Sequence, residues 1–190
     1  MTRVATIIFT CLILASQPLQ AIVIQGIDIP DRVSLPGNGT QLVLNGAGIR
    51  EKFFMDIYIG ALYLEKQMSD PAAILADTGY AGILMHFTYS EVSREKIIAG
   101  WVDGLEANLT QERMQAIRPR LEEFNKLFRT VVKGDVIRID YVPDSGTQVR
   151  INGEWRGAVA GNDFFRDLLR IWLGTSPVSK SLKNDMLGQD

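Results

Sequence analysis

The amino-acid sequence predicts one α+β domain with a largely antiparallel sheet and helices packed on one side. Strand-like and helix-like stretches follow each other in blocks, in the order strands, helices, strands, helices, which is typical of α+β folds. The 190 residues, 46% hydrophobic and 22% charged, fit a single globular core. We find no internal repeat, low-complexity tract or linker that would divide the chain.

The N-terminal segment has the composition of a secretory signal peptide. One positive charge precedes an apolar run from Ala5 to Ala15, and residues 17–21 end on a small residue suited to cleavage. The run is shorter than a membrane span of roughly 20 apolar residues, so no stable membrane span is expected. Cys11, the only cysteine, lies within it, and a domain without thiols is compatible with an oxidising periplasm. We expect a signal peptide over residues 1–21 and a single periplasmic domain over residues 22–190.

The first predicted strands occupy the N-terminal third of the mature chain. Residues 22–35 alternate around prolines, which favours an edge strand or an extended arm. A turn at residues 37–39 leads to a short strand over Gln41–Leu44. The sequence Asn45-Gly46-Ala47-Gly48 opens with a hairpin-type Asn-Gly pair and predicts a second turn. Phe53–Leu64 is apolar at nearly every position, as in a central strand covered on both faces.

Two amphipathic helices are predicted in the middle of the chain, after a short helix over Ala72–Ala76 and a strand over Gly82–Tyr89. The first begins at Ser93. Its apolar stripe consists of Ile97, Trp101, Leu105 and Leu109, with the small residues Gly100, Gly104 and Ala107 beside it. The second contains Pro119, so we expect a kink or a break near Ile117-Arg118.

A β-meander is predicted next. Asp135–Val142 and Thr147–Asn152 alternate between apolar and polar residues, as half-buried antiparallel strands do. Residues 143–146 form a turn between them. The pair Asn152-Gly153 is a strong hairpin signal that predicts a further strand.

Two helices are expected at the C-terminus. Asn162 is the predicted N-cap of a helix over Asp163–Leu173, and Gly174 is expected to end it in the left-handed conformation. Ser176-Pro177 predicts the start of a shorter helix. The inward-facing side chains of that last helix are Leu182 and Met186.

Composition argues against several classes of partner and cofactor. The formal charge of −2 leaves no basic stripe for phosphates, so nucleic acid is not expected and anionic membrane surfaces are disfavoured. His86 is the only histidine, and a structural role is favoured over metal binding because no familiar ligand cluster can be built around it. Gly46-Ala47-Gly48 lacks the third glycine of a dinucleotide loop. No cofactor or metal is expected.

Two blocks of sequence are similar to the signatures of the chalcone isomerase family. Residues 44–64 combine a Gly-rich segment, Arg50 and an apolar strand that ends in Tyr-Leu, and residues 171–183 combine a helix end with Gly and Ser-Pro. The resemblance covers roughly residues 24–188. It implies the open-faced β-sandwich of that family, which includes isomerases, fatty-acid-binding proteins and bacterial members of unknown role.

The resemblance implies that Arg50 and Tyr58 hold the polar end of a ligand. A guanidinium can bind a carboxylate through two hydrogen bonds, and a phenol can add a third. On one straight strand the two residues would be about 26 Å apart at roughly 3.3 Å per residue, so a turn near Glu51-Lys52 must bring them together. Phe54, Leu62 and Leu64 share the face of Tyr58 and could line an apolar slot. Asp56 lies on the same face and is the alternative partner of Arg50.

Other positions depart from the isomerase pattern. Lys96 matches the lysine of the plant enzymes, but Ser93 stands at their tyrosine position and Gly100 at their asparagine position. Ile171-Trp172 occupies the place of a substrate-binding hydroxyl residue and makes the pocket more apolar. These departures argue against chalcone cyclisation as the native activity.

The favoured hypothesis is therefore a periplasmic, non-catalytic protein that binds a small amphipathic ligand such as a fatty acid through Arg50 and Tyr58, with Lys96 as a third candidate. The first alternative is an isomerase or intramolecular lyase that acts on a chalcone-like enone, with Arg50 and Lys96 stabilising negative charge. The second alternative is an interaction module of the cell envelope. Its candidate surface comprises Arg118, Arg120, Glu122 and Glu123.

Overall fold

The computed structural model describes residues 21–37 and 39–189. The predicted signal peptide lies outside the described residues except for Ala21, which begins the first strand. None of the helices in the described part of the chain is long and apolar enough to cross a membrane.

Eleven strands and five helices make up the described residues. The strands are β1 (Ala21–Ile24), β2 (Ile27–Pro30), β3 (Arg32–Ser34), β4 (Gln41–Lys52), β5 (Met55–Leu64), β6 (Ala81–Phe87), β7 (Glu91–Val92), β8 (Val131–Val132), β9 (Val136–Val142), β10 (Gly146–Ile151) and β11 (Glu154–Val159). The helices are α1 (Pro71–Ala76), α2 (Arg94–Glu106), α3 (Gln111–Asn125), α4 (Asn162–Leu173) and α5 (Lys180–Met186).

Seven strands form one antiparallel sheet in the order β11-β10-β9-β6-β5-β4-β3. The predicted α+β class with an antiparallel sheet is confirmed. β1 and β2 form a separate hairpin, and β7 pairs with β8 in a second small sheet that the sequence did not indicate.

The two faces of the main sheet carry different cores. The helices cover one face, where the side chains of β5, β6, β9 and β10 meet an aromatic cluster. That cluster consists of Trp101, Phe124, Phe128, Phe164 and Trp172, whose rings lie 4.8–6.1 Å from their neighbours. The β1–β2 arm and the segment around Leu35 cover part of the other face, where Ile29, Leu42, Ile59 and Tyr63 are buried.

The Gly-rich segment after Leu44 is part of a strand, so the predicted turn at residues 45–48 is wrong. β4 runs through it with a bulge between Leu44 and Gly46 and pairs with β5. Glycine is needed because α5 lies directly on this part of the sheet, and a Cβ on Gly46 or Gly48 would overlap atoms of Asp185. The residues that signal a turn in the sequence instead allow a helix to approach the strand closely.

Asn45 fastens the same segment to its neighbours. Its buried side-chain amide donates to the carbonyl oxygens of Met68 at 2.9 Å and Met186 at 2.8 Å, and its carbonyl oxygen accepts from the Met68 N–H at 2.6 Å. These bonds join β4 to the end of α5 and to the segment before α1. Asn45 therefore fixes tertiary structure rather than a turn.

Helix starts are largely set by side-chain caps. Asp70, Ser93, Thr110 and Ser179 each accept a hydrogen bond from the first turn of α1, α2, α3 and α5. The predicted cap at Asn162 is wrong, because α4 begins after Gly161 without a side-chain cap. The last helix begins after Ser179 rather than at Ser176-Pro177.

Two further helix predictions concern α3 and the end of α4. Of the kink or break predicted near Ile117-Arg118, the break does not occur: α3 continues through Pro119, and Ile117, Leu121 and Phe124 are buried on both sides of the proline. Gly174 ends α4 in an extended conformation, with φ −69° and ψ −174°, and not in the left-handed region. A Cβ there would collide with Asn108, whose side chain holds the backbone of the next turn through Ser176.

The predicted β-meander is confirmed, whereas the strand predicted from Phe53 begins at Met55 and the strand predicted to end at Tyr89 ends at Phe87. The predicted turn at residues 37–39 includes residue 38, which lies outside the described residues. β9 and β10 follow the predicted alternation, and Asn152 and Gly153 both have positive φ in the two-residue loop between β10 and β11. Leu182 and Met186 face inward on α5.

Candidate functional site

The hairpin of β4 and β5 places Arg50 opposite Tyr58. The two residues are direct partners in the antiparallel register, so their side chains start from the same face of the sheet. The loop between the strands consists of Phe53 and Phe54, two residues after the expected position at Glu51-Lys52. The prediction that the chain folds back to bring Arg50 and Tyr58 together is confirmed.

A cavity of about 420 Å³ opens beside this pair. Small-molecule sites commonly have about 300–1,000 Å³. Its apolar wall is contributed by Phe53, Met55, Ile57, Met85, Phe87, Val92, Ile97, Trp101, Ile171 and Val178. Its charged lining consists of Arg50, Lys52, Glu91, Lys96 and Asp103. All three residues predicted to bind a ligand, Arg50, Tyr58 and Lys96, therefore line one cavity.

Tyr58 forms the boundary between the cavity and the core. Its side chain is 7% exposed, and its ring packs against Phe87 with centroids 5.6 Å apart. The indole Nε1 of Trp172 donates to the phenol oxygen at 3.0 Å. Burial raises the pKa of Tyr58 to about 12, against the lowering effects of Trp172 and Arg50. The phenol is therefore neutral near pH 7, and it keeps its own proton to donate to a ligand.

Arg50 is the cation nearest to this phenol in the strand register. Its guanidinium donates to the neighbouring carbonyl oxygen of Glu51 and is partly exposed. Asp56, the carboxylate considered as its alternative partner, accepts a hydrogen bond from Gln25. A guanidinium has five N–H donors, so Arg50 retains donors for an anionic group in the cavity.

Helix α2 forms the opposite wall through Lys96, Ile97, Gly100 and Trp101. Gly100 leaves room there: a Cβ on this residue would meet no atom within 4 Å. Gly104, one turn later, is enclosed instead, because a Cβ would lie 2.9 Å from Cγ2 of Ile171. On α2 the residues that line the cavity extend from Lys96 to Asp103, and Gly104 is not among them.

The predicted slot along β5 is shorter than expected. Leu62 and Leu64 are buried in the core and do not line the cavity. Helix α5 covers the strand at Gly60, where a Cβ would lie 2.8 Å from Met186 Cε. Phe54 is not part of the wall either, since it lies in the loop and is fully exposed.

The sequence profile of a known family matches most of the chain. The chalcone isomerase-like profile aligns with residues 21–188. The chain belongs to the chalcone isomerase-like family. No curated protein sequence matches significantly. Among solved structures, a fatty-acid binding protein of Arabidopsis thaliana, AtFAP1, has the same fold with a TM-score of 0.67 and 17% sequence identity, over 88% of this chain and 96% of that chain.

In this chalcone isomerase-like chain, structural roles are found for the residues that differ from the isomerase pattern. Ser93 caps α2 by accepting from the Lys96 N–H, and Gly100 contributes empty space. Trp172 bonds the Tyr58 hydroxyl from the core side, and Ile171 adds apolar lining. At these positions the chain has a helix cap, a glycine without a side chain and a buried indole in place of the functional groups of the isomerases.

Tyr89 is a lining residue that the sequence prediction left out. It follows β6, and its backbone N–H donates to Ile57 at 3.2 Å, which holds it beside β5. Its position depends on where β6 leaves the sheet, so the only available signal was a tyrosine at the end of the strand predicted over Gly82–Tyr89.

His86 lies outside this cavity, on β6 between β5 and β9. Partial burial lowers its pKa below the usual value for histidine. Within residues 21–37 and 39–189, no group of three or more His, Cys, Asp or Glu side chains could hold a metal ion.

Proposed function

We propose that this protein binds a small amphipathic carboxylate, with a fatty acid as the first candidate, in the cavity between β5 and α2. The observation that carries the proposal is the pairing of Arg50 with Tyr58 at the edge of an otherwise largely apolar cavity. An apolar wall with a few convergent polar groups is the usual composition of a site for such a ligand.

The polar groups suit a carboxylate better than a neutral head group. The Arg50 guanidinium can donate two parallel hydrogen bonds to the two oxygens, and the protonated phenol of Tyr58 can add one more. Lys96 supplies a second positive charge from α2, while Glu91 and Asp103 are exposed residues at the cavity wall. The alkyl chain would lie against side chains such as Ile97 and Trp101.

The fold is compatible with this ligand class. The Arabidopsis protein that shares the fold is a fatty-acid binding protein. At 17% identity the likeness concerns the fold, so the argument for the ligand rests on Arg50, Tyr58 and the apolar wall of this chain.

The proposal includes a periplasmic, non-catalytic role. The N-terminal sequence supports export. Ser93 and Gly100 support a binding role, because one is occupied as a helix cap and the other has no side chain at positions where plant isomerases carry functional groups.

The test is equilibrium binding of palmitate to residues 22–190, measured by calorimetry. Arg50→Ala should weaken binding about 10–100-fold, as expected for the loss of a charge-assisted contact. Arg118→Ala is the matched control, because it removes the same charge from an exposed position on α3. Arg50→Lys should recover part of the affinity, since it restores the charge but not the two parallel hydrogen bonds.

Methyl palmitate serves as the second control. It keeps the chain but has no charged head group, so its affinity should not change in Arg50→Ala. Equal palmitate affinity in wild type and a folded Arg50→Ala protein would refute the assignment of the polar end.

A second candidate function is isomerisation of a chalcone-like enone. It is favoured by the presence of Arg50, Lys96 and the phenols of Tyr58 and Tyr89 around one cavity, because such donors can stabilise a developing negative charge. The measurement is ultraviolet detection of turnover on a chalcone panel. Turnover that disappears in Arg50→Ala would assign the enzyme, and no turnover across the panel would reject it.

A further inference from the structure

The tip of the β4–β5 hairpin presents two aromatic side chains to solvent. Phe53 is 80% exposed and Phe54 is 104% exposed, and the adjoining Met55 is 40% exposed. The register pairs Lys52 with Met55, so the two phenylalanines alone form the loop. They contribute to neither buried core of the described residues.

The backbone of this loop does not explain why phenylalanine is present. Both residues have positive φ, 51° for Phe53 and 62° for Phe54, a conformation that favours Asn and Gly. The other two-residue loops with this backbone contain Gln25-Gly26 and Asn152-Gly153. At the β4–β5 tip, both positions hold bulky residues that disfavour this backbone conformation. Neither core packing nor the geometry of the turn accounts for the two exposed rings.

The tip lies at the entrance of the cavity. Lys52, Phe53 and Met55 contribute to the cavity wall, together with Arg50 deeper in the hairpin. Phe54 does not line the cavity and points to solvent beside it. A surface that receives the two rings would therefore also face the entrance.

The small size of the patch favours a lipid surface over a stable protein complex. Two phenylalanine side chains bury about 150–250 Å² each, which is well below the roughly 800 Å² that each partner of a stable protein complex contributes. A bilayer interface, in contrast, accepts single aromatic side chains at the level of the head groups.

The charges of the tip specify the kind of bilayer. Arg50 and Lys52 are balanced by Glu51 and Asp56 within the same hairpin, and the chain has a net charge of −2. Within this hairpin, which the structure describes in full, the charges form no basic patch that would require anionic lipids. The tip therefore matches a zwitterionic phospholipid surface.

We propose that the β4–β5 tip docks onto a zwitterionic phospholipid bilayer through Phe53, Phe54 and Met55 and turns the cavity entrance towards the lipid. Docking goes beyond the proposed function, because it does not depend on which molecule the cavity binds. The two claims fail separately.

Co-sedimentation with phosphatidylcholine vesicles tests the docking. The substitution Phe53→Asn with Phe54→Gly gives the loop the residues its backbone favours, so the protein should unfold at an equal or higher temperature while its partition coefficient falls at least about tenfold. Trp155→Gln is the control, since Trp155 is 54% exposed on β11 and does not line the cavity. Its partition coefficient should stay within about twofold of wild type.

Three results would overturn the docking proposal. They are an unchanged partition coefficient in the double variant, a partition coefficient that falls more than about tenfold between 0.05 and 0.5 M NaCl, and a wild-type dimer in light scattering that the double variant abolishes.

Phe54→Gly alone separates docking from ligand binding, because it should weaken vesicle binding and leave palmitate affinity in solution unchanged. Loss of both vesicle binding and palmitate affinity would show that the Phe54 ring acts on the cavity itself, and it would overturn the assignment of Phe54 to docking.

Discussion

Two glycines one turn apart on α2 have opposite surroundings. Gly104 touches α4, and a Cβ there would press on Ile171, whereas Gly100 borders the cavity and a Cβ would meet nothing within 4 Å. In the sequence both belong to one flank of small residues. The difference shows that absence of a side chain serves close helix packing at Gly104 and keeps a volume open at Gly100.

The packed region beside Gly104 and the open region beside Gly100 both extend beyond α2. On the Gly104 side, α4 and α5 cover the sheet, and the interior is filled by rings such as Trp101 and Trp172. On the Gly100 side, α2 faces the Arg50 and Tyr58 pair across the cavity. Substitutions on either side should therefore separate stability from binding.

The largest effect is expected from Gly104→Leu. Because Ile171 is buried, the added side chain overpacks the contact between α2 and α4, and the free energy of unfolding should fall by about 3 kcal/mol relative to Gly100→Leu. Gly100→Leu is a matched control, since both variants gain the same helix propensity. Urea denaturation measures the difference, and equal stabilities would contradict the assigned packing.

Gly100→Leu should primarily affect binding. Because Gly100 lines the cavity, the added side chain should reduce the space for a ligand, and palmitate affinity should fall at least about tenfold, or about 1.4 kcal/mol. The free energy of unfolding should stay equal or rise by up to about 1 kcal/mol from the better helix propensity. Calorimetry and urea denaturation of the same preparation measure both quantities. A stable variant with unchanged affinity would show that the ligand does not lie beside α2.

The smallest effect concerns the ionisation of Tyr58, at the boundary of the two regions. Its pKa of about 12 in the folded protein exceeds the usual 10.0, so the folded state holds the phenol proton more tightly. The stability that this shift contributes is fully present below pH 10 and is lost as pH rises towards 12. The loss at pH 11 is about 1 kcal/mol of the free energy of unfolding. Palmitate affinity should be level between pH 6 and 9.

The alkaline loss can be assigned by comparing urea denaturation of wild type and Tyr58→Phe at pH 8 and pH 11. Burial also raises the pKa of Tyr63, so the variant should retain part of the loss. Tyr58→Phe also leaves the Trp172 N–H without its acceptor, which lowers stability at both pH values. An equal pH 8 to pH 11 difference in both proteins would remove Tyr58 as a contributor.

Features encoded by local pattern could be predicted from the sequence. The amphipathic stripe of α2 and the Asn152-Gly153 hairpin depend on neighbours in the chain. The pairing of Arg50 with Tyr58 could be expected from family resemblance together with the distance argument. The α+β class followed from the order of these local elements.

Features that depend on distant residues could not be predicted. Asn45 and Gly46 have the signature of a turn, but α5, about 140 residues later, needs their small size and amide group. The turn that does occur, at Phe53-Phe54, contains neither Gly nor Asn. The end of the apolar slot at Gly60 is likewise set by α5. In each case tertiary contact overrides the local signal.

The most direct measurement of the central claim is a crystal structure of residues 22–190 with a fatty acid that carries a bromine atom on its chain. We predict a carboxylate within hydrogen-bonding distance, about 2.7–3.2 Å, of the Arg50 guanidinium and the Tyr58 hydroxyl. The anomalous signal of bromine should lie in the cavity beside Ile97 and Gly100. Bromine at another location, or a carboxylate that Arg50 does not contact, would contradict the account.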